Sequence, residues 1–505
     1  MKRGMVLDHV IGVDLGTSAV KVLLVDRNGN VKGEWTETYP LYQPHSGYSE
    51  QNPEDWVKKT IVALRKLLEV SNISPDSVCG LSFSGQMHGL VLLDKERNVL
   101  RNAILWNDTR TTEECREIEE KVGKETLLSI TKNRALEGFT LPKLLWVKKH
   151  EPHLYQQAYT FLLPKDYVRF RLTGQIAMEY SDAAGTLLLD IEKKTWSQHI
   201  CDVLGIDMRL CPPLVESTAY VGTLLPEIAA ETGLSTNVKV FAGGADNACG
   251  AVGAGILSEG HMMCSIGTSG VVLAYEQTGN KDFAGKVHYF NHAKPNAYYI
   301  MGVTLAAGYS FDWWKRTFMT DVSFADIVKR AYESPIGANG LLFTPYLVGE
   351  RTPYADADIR ASFIGIDSSQ TKWDFARAVM EGITFSLNES VEIIKASGKS
   401  VKSVVSIGGG AKSIEWLQLQ ADIFATPVEK LKNEQGPGMG AAMIAAYGCG
   451  WFNSLEQCSD VFKQVELVVE PRKEVVERYQ ELFAIYREIY PQTKEITKKL
   501  KAFRN

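Results

Sequence analysis

The segment Leu15-Gly16-Thr17-Ser18-Ala19-Val20 returns near the middle of the 505-residue chain as Ile266-Gly267-Thr268-Ser269-Gly270-Val271. Each copy follows an apolar run, Val10-Ile11-Gly12-Val13 in the first and Met262-Met263-Cys264-Ser265 in the second. Each also leads into another, Val20-Lys21-Val22-Leu23-Leu24-Val25 and Val271-Val272-Leu273. Both therefore read as strand, tight turn, strand. In the first copy Asp26-Arg27-Asn28-Gly29-Asn30 turns the chain again before Val31, which makes an antiparallel meander. A hairpin repeated in the same strand context predicts a chain of two related halves. The length suits two or more domains, each able to bury its own core. The boundary is expected between Gly253 and Glu259, after the small-residue run Gly250-Ala251-Val252-Gly253-Ala254-Gly255, giving domains over 1–255 and 256–505.

Helical and strand periodicities alternate in both halves. Residues 53–69 read as a helix with Trp56, Ile61, Leu64 and Leu67 inward, and 373–390 as another. Strands are expected at 78–83, Val91–Leu93 and 401–407. The fold class is therefore α/β in two domains, with a cleft between them where ligands bind. Net charge is −5, and no run of Lys and Arg forms a strong basic patch, so nucleic acid is a poor partner. Lys498, Lys499, Lys501 and Arg504 read as a solvated helix end. No apolar stretch approaches a membrane span, and residues 1–5 carry no apolar leader. None of the 8 cysteines forms a C-x-x-C pair, and they read as reduced core residues. The expected compartment is the cytoplasm. A homodimer is left open.

Glycine lets a turn bring its N–H groups close to an anion, and threonine and serine hydroxyls add donors. Gly16, Thr17 and Ser18 in one half, with Gly267, Thr268 and Ser269 in the other, are candidate phosphate cradles on both sides of a cleft. The same residues also suit a plain hairpin. Only the first copy carries a carboxylate, Asp14, where the second has Ser265. One carboxylate beside phosphates suits Mg²⁺. Gly408-Gly409-Gly410-Ala411 lies between a strand and a helix from Trp416 to Phe424, and reads as either a nucleotide contact or an ordinary connection. Ser397-Gly398-Lys399-Ser400 resembles the end of a P-loop, but Ile393 stands where glycine is required, so it is a loop.

Three segments can meet a second substrate. Asp246 follows a strand and the turn Gly243-Gly244-Ala245, where it can serve as a proton acceptor or as a helix cap. Ser84-Gly85-Gln86-Met87-His88-Gly89 ends a strand with polar groups between glycines, which suits a sugar loop or a structural histidine. Leu105-Trp106-Asn107-Asp108-Thr109-Arg110 offers an aromatic face and hydroxyl-reading groups, or a helix start capped by Asp108.

Taken together, these residues resemble the FGGY family of carbohydrate kinases along nearly the whole chain. Gly138-Phe139-Thr140-Leu141-Pro142-Lys143-Leu144-Leu145-Trp146-Val147 is similar to the first family signature. Residues 361–366, with Asp374-Phe375-Ala376-Arg377-Ala378-Val379-Met380-Glu381-Gly382, are similar to the second. Within the family, S-G-Q-M-H-G at 84–89, L-W-N-D at 105–108, L-P-K-D-Y at 163–167, S-D-A-A-G-T at 181–186 and A-G-G-A-D-N at 242–247 resemble the xylulose-phosphorylating branch. Ala245 stands where a third glycine is common, and Thr109 where glycine is expected.

The resemblance implies two actin-like (ribonuclease H-like) ATPase domains, the first on the sugar side and the second on the nucleotide side. It implies Asp246 as general base and Asp14 holding Mg²⁺ through water, with Asp246 the second carboxylate at the metal. Met87, His88, Trp106, Asn107, Asp108 and Asn247 would meet the sugar. Thr17, Ser18, Gly267, Thr268 and Gly308 would lie near the ATP phosphates, and Gly409 and Gly410 near the adenosine. The expected reaction is ATP-dependent phosphorylation of D-xylulose at its terminal hydroxyl. A kinase of gluconate, ribulose or another polyol on the same scaffold is the alternative. Actin-like chaperones and filaments need an appended peptide-binding domain or polymer contacts, and no appended domain is legible.

Overall fold

The computed structural model describes residues 8–504, so residues 1–5, read above as lacking a leader, lie outside the described residues. In the first half, strands β1 (His9–Leu15), β2 (Ala19–Asp26), β3 (Val31–Thr38), β4 (Val78–Gly85), β5 (Tyr220–Thr223) and β6 (Lys239–Phe241) form a mixed sheet in the order β5-β6-β4-β1-β2-β3. β1, β2 and β3 are the expected antiparallel meander. β4 runs parallel to both β1 and β6, and β5 is antiparallel to β6. β4 is wholly buried and β1 nearly so, which is why they read as apolar or small residues apart from the half-buried His9 and Asp14. β3 alternates between half-buried and exposed, as an edge strand with one covered face does.

The second half repeats this plan. Strands β7 (His261–Ile266), β8 (Gly270–Glu276), β9 (His288–Asn291), β10 (Tyr298–Thr304), β11 (Ser403–Gly408), β12 (Val428–Leu431) and β13 (Val465–Val469) lie in the order β9-β10-β8-β7-β11-β12-β13. Here β7, β8 and β10 form the antiparallel trio. β7, β11 and β12 run parallel, and β13 is antiparallel to β12. The duplication inferred from a hexapeptide thus extends through six strands.

The helices that set the site are α1 (Pro53–Ser71), α2 (Pro164–Thr173), α3 (Tyr180–Ala184) and α4 (Asp246–Gly253) in the first half. In the second they are α5 (Gly308–Phe318), α6 (Lys372–Ala396), α7 (Ile414–Phe424) and α8 (Pro437–Gly448). α1 starts where the Asn52 side chain accepts the Glu54 N–H and Pro53 takes the first turn, and it stops at Asn72 in the left-handed region. Trp56, Leu64 and Leu67 are buried as expected; Ile61 is half-buried, and Thr60 and Ala63 complete the covered face. α6 starts at Lys372, where Thr371 and Asp374 close a reciprocal cap, and runs beyond the expected 390 to Ala396.

Helix α8 belongs to the second half in sequence but packs on β1 and β4 of the first and against α4. Glycines permit this approach. A Cβ on Gly12 would sit 2.1 Å from the Gly438 carbonyl oxygen, and one on Gly440 would sit 1.8 Å from that of Cys249. One buried apolar cluster accordingly runs from Val10 and Leu23 through Ala248 and Met443 to Met263 and Val405. The crossing sets the start of α4, and with it Asp246, beside the end of β1. All eight cysteines are free, with Cys211 and Cys449 half-buried rather than in the core. Among the described residues no helix is long and apolar enough to cross a membrane.

Candidate active site

Both glycine-threonine-serine turns have their carbonyls tied back into the protein. In the first, Gln51 Nε2 donates to the Thr17 carbonyl at 2.6 Å, the Tyr39 N–H to that of Ser18 at 3.2 Å, and the Gln86 N–H to that of Leu15 at 2.8 Å. In the second, the start of α5 does this work: the Gly308 N–H reaches the Gly267 carbonyl at 2.8 Å, and those of Ala307 and Tyr309 reach Thr268 at 3.1 Å. Among the described residues, the N–H groups of Thr17, Ser18, Thr268 and Ser269 donate to no other backbone carbonyl. Turns held this way offer donors rather than acceptors, which is what an anion needs. A Cβ on Gly308 would stand 2.4 Å from the Gly267 oxygen, so glycine is required for this contact.

The two turns differ in register. Leu15 pairs with Val20 in the first, whereas Ile266 pairs with Gly270 in the second, one residue shorter. The second turn opens onto a cavity of about 520 Å³ lined by Gly267, Thr268, Gly308 and Gly409, all expected at the nucleotide. Its apolar wall is Phe311, Phe324, Val328 and Trp416, with Lys412 at the rim. Sequence reasoning missed this wall, because aromatic residues at helical spacing read as core. Gly410 does not line the cavity; its missing side chain makes room for Ile266, 2.5 Å from where a Cβ would be. Nor does the glycine turn open the helix directly. Residues Gly409–Ala411 form a short 3₁₀ turn, and Ser413 caps α7. The P-loop-like segment is a loop whose Lys399 is held by Glu259 and Glu276.

Asp246 is the first residue of α4 and Ala245 occupies the cap position, so the capping role fails. Burial and then the charge of Asp14 push the Asp246 carboxyl up to about 7, the Asn247 N–H pulling the other way. Burial pushes Asp14 up to about 6, partly offset by the Ser84 hydroxyl and by Lys21. The two acids therefore share one electrostatic neighbourhood, at the C-terminal end of β1 and the N-terminal end of α4. Segment 433–436 spans the gap between halves: Lys21 Nζ donates to Gln435 Oε1 at 2.7 Å, and Glu434 accepts the Gly408 N–H at 2.8 Å.

Next to Asp246, the Asn247 amide lies 3.5 Å from the Met87 sulfur. His88 has a positive φ of 70°, and its carbonyl is held by Thr140 Oγ1 at 3.0 Å and Lys143 Nζ at 3.2 Å. Its Nδ1 lies 2.6 Å from the Gly185 carbonyl. A carbonyl can only accept, so Nδ1 carries the proton and Nε2 presents a lone pair. Burial and the Lys143 charge lower the imidazole to about 3, which keeps it neutral. Lys143 is fully buried with carbonyl partners, and burial lowers it to about 7. Lys143 lies within the first signature-like stretch, and nothing in its spacing points to His88.

Trp106 is 46% exposed and donates its indole N–H to Thr17 Oγ1 at 2.9 Å, which ties the aromatic loop to the first turn. Asn107 is exposed beside it. Asp108 takes a different place from the sugar contact or helix cap expected of it. It is buried, with its carboxylate engaged by Arg110 and by the Ser49 N–H at 2.6 Å, and Thr111 is at the cap. Among the described residues no group of three or more His, Cys, Asp or Glu could hold a metal ion. Two neighbouring carboxylates, Asp14 raising Asp246 through its charge, fit Mg²⁺, which takes one or two acidic ligands and completes its shell with phosphate and water.

The N-terminal domain model of the FGGY family of carbohydrate kinases matches residues 9–253, and its C-terminal domain model matches 262–449. A xylulose kinase of Bacillus subtilis is 61% identical over 498 residues, covering 99% of this chain and 100% of that one. Two solved structures from Lactobacillus acidophilus each superpose with a TM-score of 0.93 at 28% identity. One is a ligand-bound xylulose kinase, covering 97% of this chain and 99% of that one. The other is a gluconate kinase, covering 98% and 99%. The fold is thereby the two-domain, actin-like ATPase type.

Proposed function

Because the chain belongs to the FGGY family of carbohydrate kinases, we propose that it transfers the γ-phosphoryl group of ATP to the terminal hydroxyl of D-xylulose, giving D-xylulose 5-phosphate and ADP. One juxtaposition carries the mechanism: the charge of Asp14 acts on Asp246 at the junction of the two halves. Phosphoryl transfer asks a protein for alignment and charge stabilisation, and for one acceptor of the hydroxyl proton. Asp246, held near 7, suits that acceptor, since a base works best when its pKa is near the operating pH. The hydroxyl O–H bond breaks toward Asp246, the oxygen bonds to the γ-phosphorus, and the bridging oxygen leaves with ADP. In this reading His88 Nε2 accepts from a sugar hydroxyl, and Asn247, beside Met87, and Trp106, bonded to Thr17, are further sugar contacts. The free N–H groups of both turns bind phosphate oxygens. Asp14 and Asp246 would hold Mg²⁺, which supplies charge neutralisation at the phosphates.

The substrate choice rests on the 61% identity to the Bacillus subtilis xylulose kinase. The fold alone leaves the choice open, since a gluconate kinase superposes equally well. A coupled ADP assay across xylulose, ribulose, a hexulose, gluconate and glycerol tests it. Xylulose is expected to have the highest kcat/KM, and a higher value for gluconate overturns the assignment. Asp246→Asn is expected to lower kcat by about a thousandfold or more in a folded protein. Near-normal turnover in that variant would remove Asp246 as the base.

A further inference from the structure

Two sequence stretches without a role in this chemistry, L-P-K-D-Y at 163–167 and S-D-A-A-G-T at 181–186, meet behind Asp246. Lys165, Asp166 and Arg169 come from α2, and Glu179 and Asp182 from the start of α3; all five are completely buried. Lys165 Nζ lies 3.0 Å from Asp166, 2.8 Å from Glu179 and 2.5 Å from Asp182, which uses all three ammonium protons. Glu179 also accepts from Ser181 Oγ at 2.7 Å, Ser217 Oγ at 2.8 Å and the Asp182 N–H at 3.0 Å. Buried ions are rarely the most stable filling for a core. Arg169 Nη2 donates to the Ala177 carbonyl, and the other outward contacts of this cluster converge on one target. Arg169 Nη1 donates to the Ala242 carbonyl at 2.7 Å, and Ser181 Oγ accepts the Ala245 N–H at 2.9 Å. The Ser217 carbonyl accepts the Gly243 N–H at 2.9 Å. Residues 242–245 are thus gripped along their length just before Asp246. Gly243 has a φ of 86°, and a Cβ there would lie 2.1 Å from the Phe83 carbonyl oxygen, so the loop cannot move toward β4.

We infer that the Lys165–Glu179 ion cluster, acting through Ser181 on the Ala245 N–H, is a positioning device that aims the Asp246 carboxylate at the acceptor hydroxyl. The inference rests on Asp246 being the base. Burial, with Glu179 and Asp166 adding to it, pushes the Asp182 carboxyl well above the usual range despite Lys165.

The test separates aim from stability. Ser181→Ala removes the hydroxyl that joins Glu179 to the Ala245 N–H. It is expected to lower kcat about tenfold or more while the KM for xylulose and for ATP stays within about twofold. Ser181→Thr keeps the hydroxyl and is expected to restore most of the loss. Thr232→Ala deletes another buried hydroxyl of the first half, bonded to the Ile228 carbonyl at 2.8 Å, and should leave kcat unchanged. Normal kcat in Ser181→Ala overturns the inference. So does failure of Ser181→Thr to rescue, or an equal kcat loss in Thr232→Ala at matched thermal stability. Asp246→Asn tells the two claims apart: turnover in that variant removes the base, whereas an inactive Asp246→Asn beside a fully active Ser181→Ala removes only the positioning device.

Discussion

The two halves share six strands in one arrangement, yet they carry opposite chemistry. The first turn is preceded by Asp14 and braced by glutamines from its own half; the second is preceded by Ser265 and braced by the start of α5. The first half adds Asp246 at the start of α4, and the second opens an apolar cavity beside its turn. The equivalent helix of the second half, α8, begins with Pro437 after Gly436 and brings no carboxylate to its first turn. In the proposed reading, duplication supplied two anion-binding turns, and divergence placed the acids in one half and the apolar nucleotide wall in the other. On that reading one acidic side is enough, since a second carboxylate at the turn proposed for the nucleotide would face phosphates of like charge.

Exchanging the differing residues is the strongest way to break this comparison. Asp14→Ser makes the first turn like the second and is expected to lower kcat by about a hundredfold or more. Ser265→Asp makes the second like the first and should raise the KM for ATP about tenfold, with the KM for xylulose little changed. Steady-state kinetics on the two variants measures both. Equal effects on both substrates in Ser265→Asp would mean that the halves do not divide the ligands.

The sheets were legible because a repeated turn flanked by apolar runs constrains each strand locally. The shorter register of the second turn was not, since identical letters say nothing of the Ala307–Tyr309 segment that ties its carbonyls. The α4–α8 crossing was also hidden: Gly12, Gly253 and Gly440 are visible as glycines, but which backbone each admits depends on tertiary contact. Asp246 and His88 stood out because polar residues follow strands in glycine-rich turns. Lys165 and Glu179 lie in stretches whose pairing is decided only when α2 and α3 pack together, and the nucleotide wall looked like any amphipathic core.

Buried charge sharpens the contrast. The first half surrounds Lys165 with three carboxylates, whereas Glu350 of the second half has, among the described residues, no ion pair. Glu350 accepts the Leu305 and Arg351 N–H groups and the Ser386 hydroxyl. Burial pushes it from 4.5 to about 7. Between these values the folded state binds more protons than the unfolded chain, so stability falls as pH rises from about 4.5 to 7. The total is on the order of 3 kcal/mol. Gln at this position can still accept both N–H groups without titrating. Glu350→Gln is therefore expected to gain in thermal stability relative to wild type between pH 5 and 7.5, as melting curves would record. A difference independent of pH would mean that Glu350 is ionised in the fold without penalty.

The smallest effect concerns the one hydroxyl that distinguishes the tips of the two turns. Thr17 receives the Trp106 indole N–H at 2.9 Å, and Thr268 has no such partner among the described residues. A neutral hydrogen bond of this kind contributes about 1 kcal/mol. Trp106→Phe should then lower kcat/KM for xylulose by about fivefold. Combined with Thr17→Val, the double variant should be less impaired than the product of the singles, with a coupling of about 1 kcal/mol. Combined with Thr268→Val, the effects should multiply, because among the described residues no hydrogen bond joins Trp106 to the second turn. Coupling to Thr268 and not to Thr17 would mean that the aromatic loop follows the nucleotide half, and the division of labour between the turns would have to be redrawn.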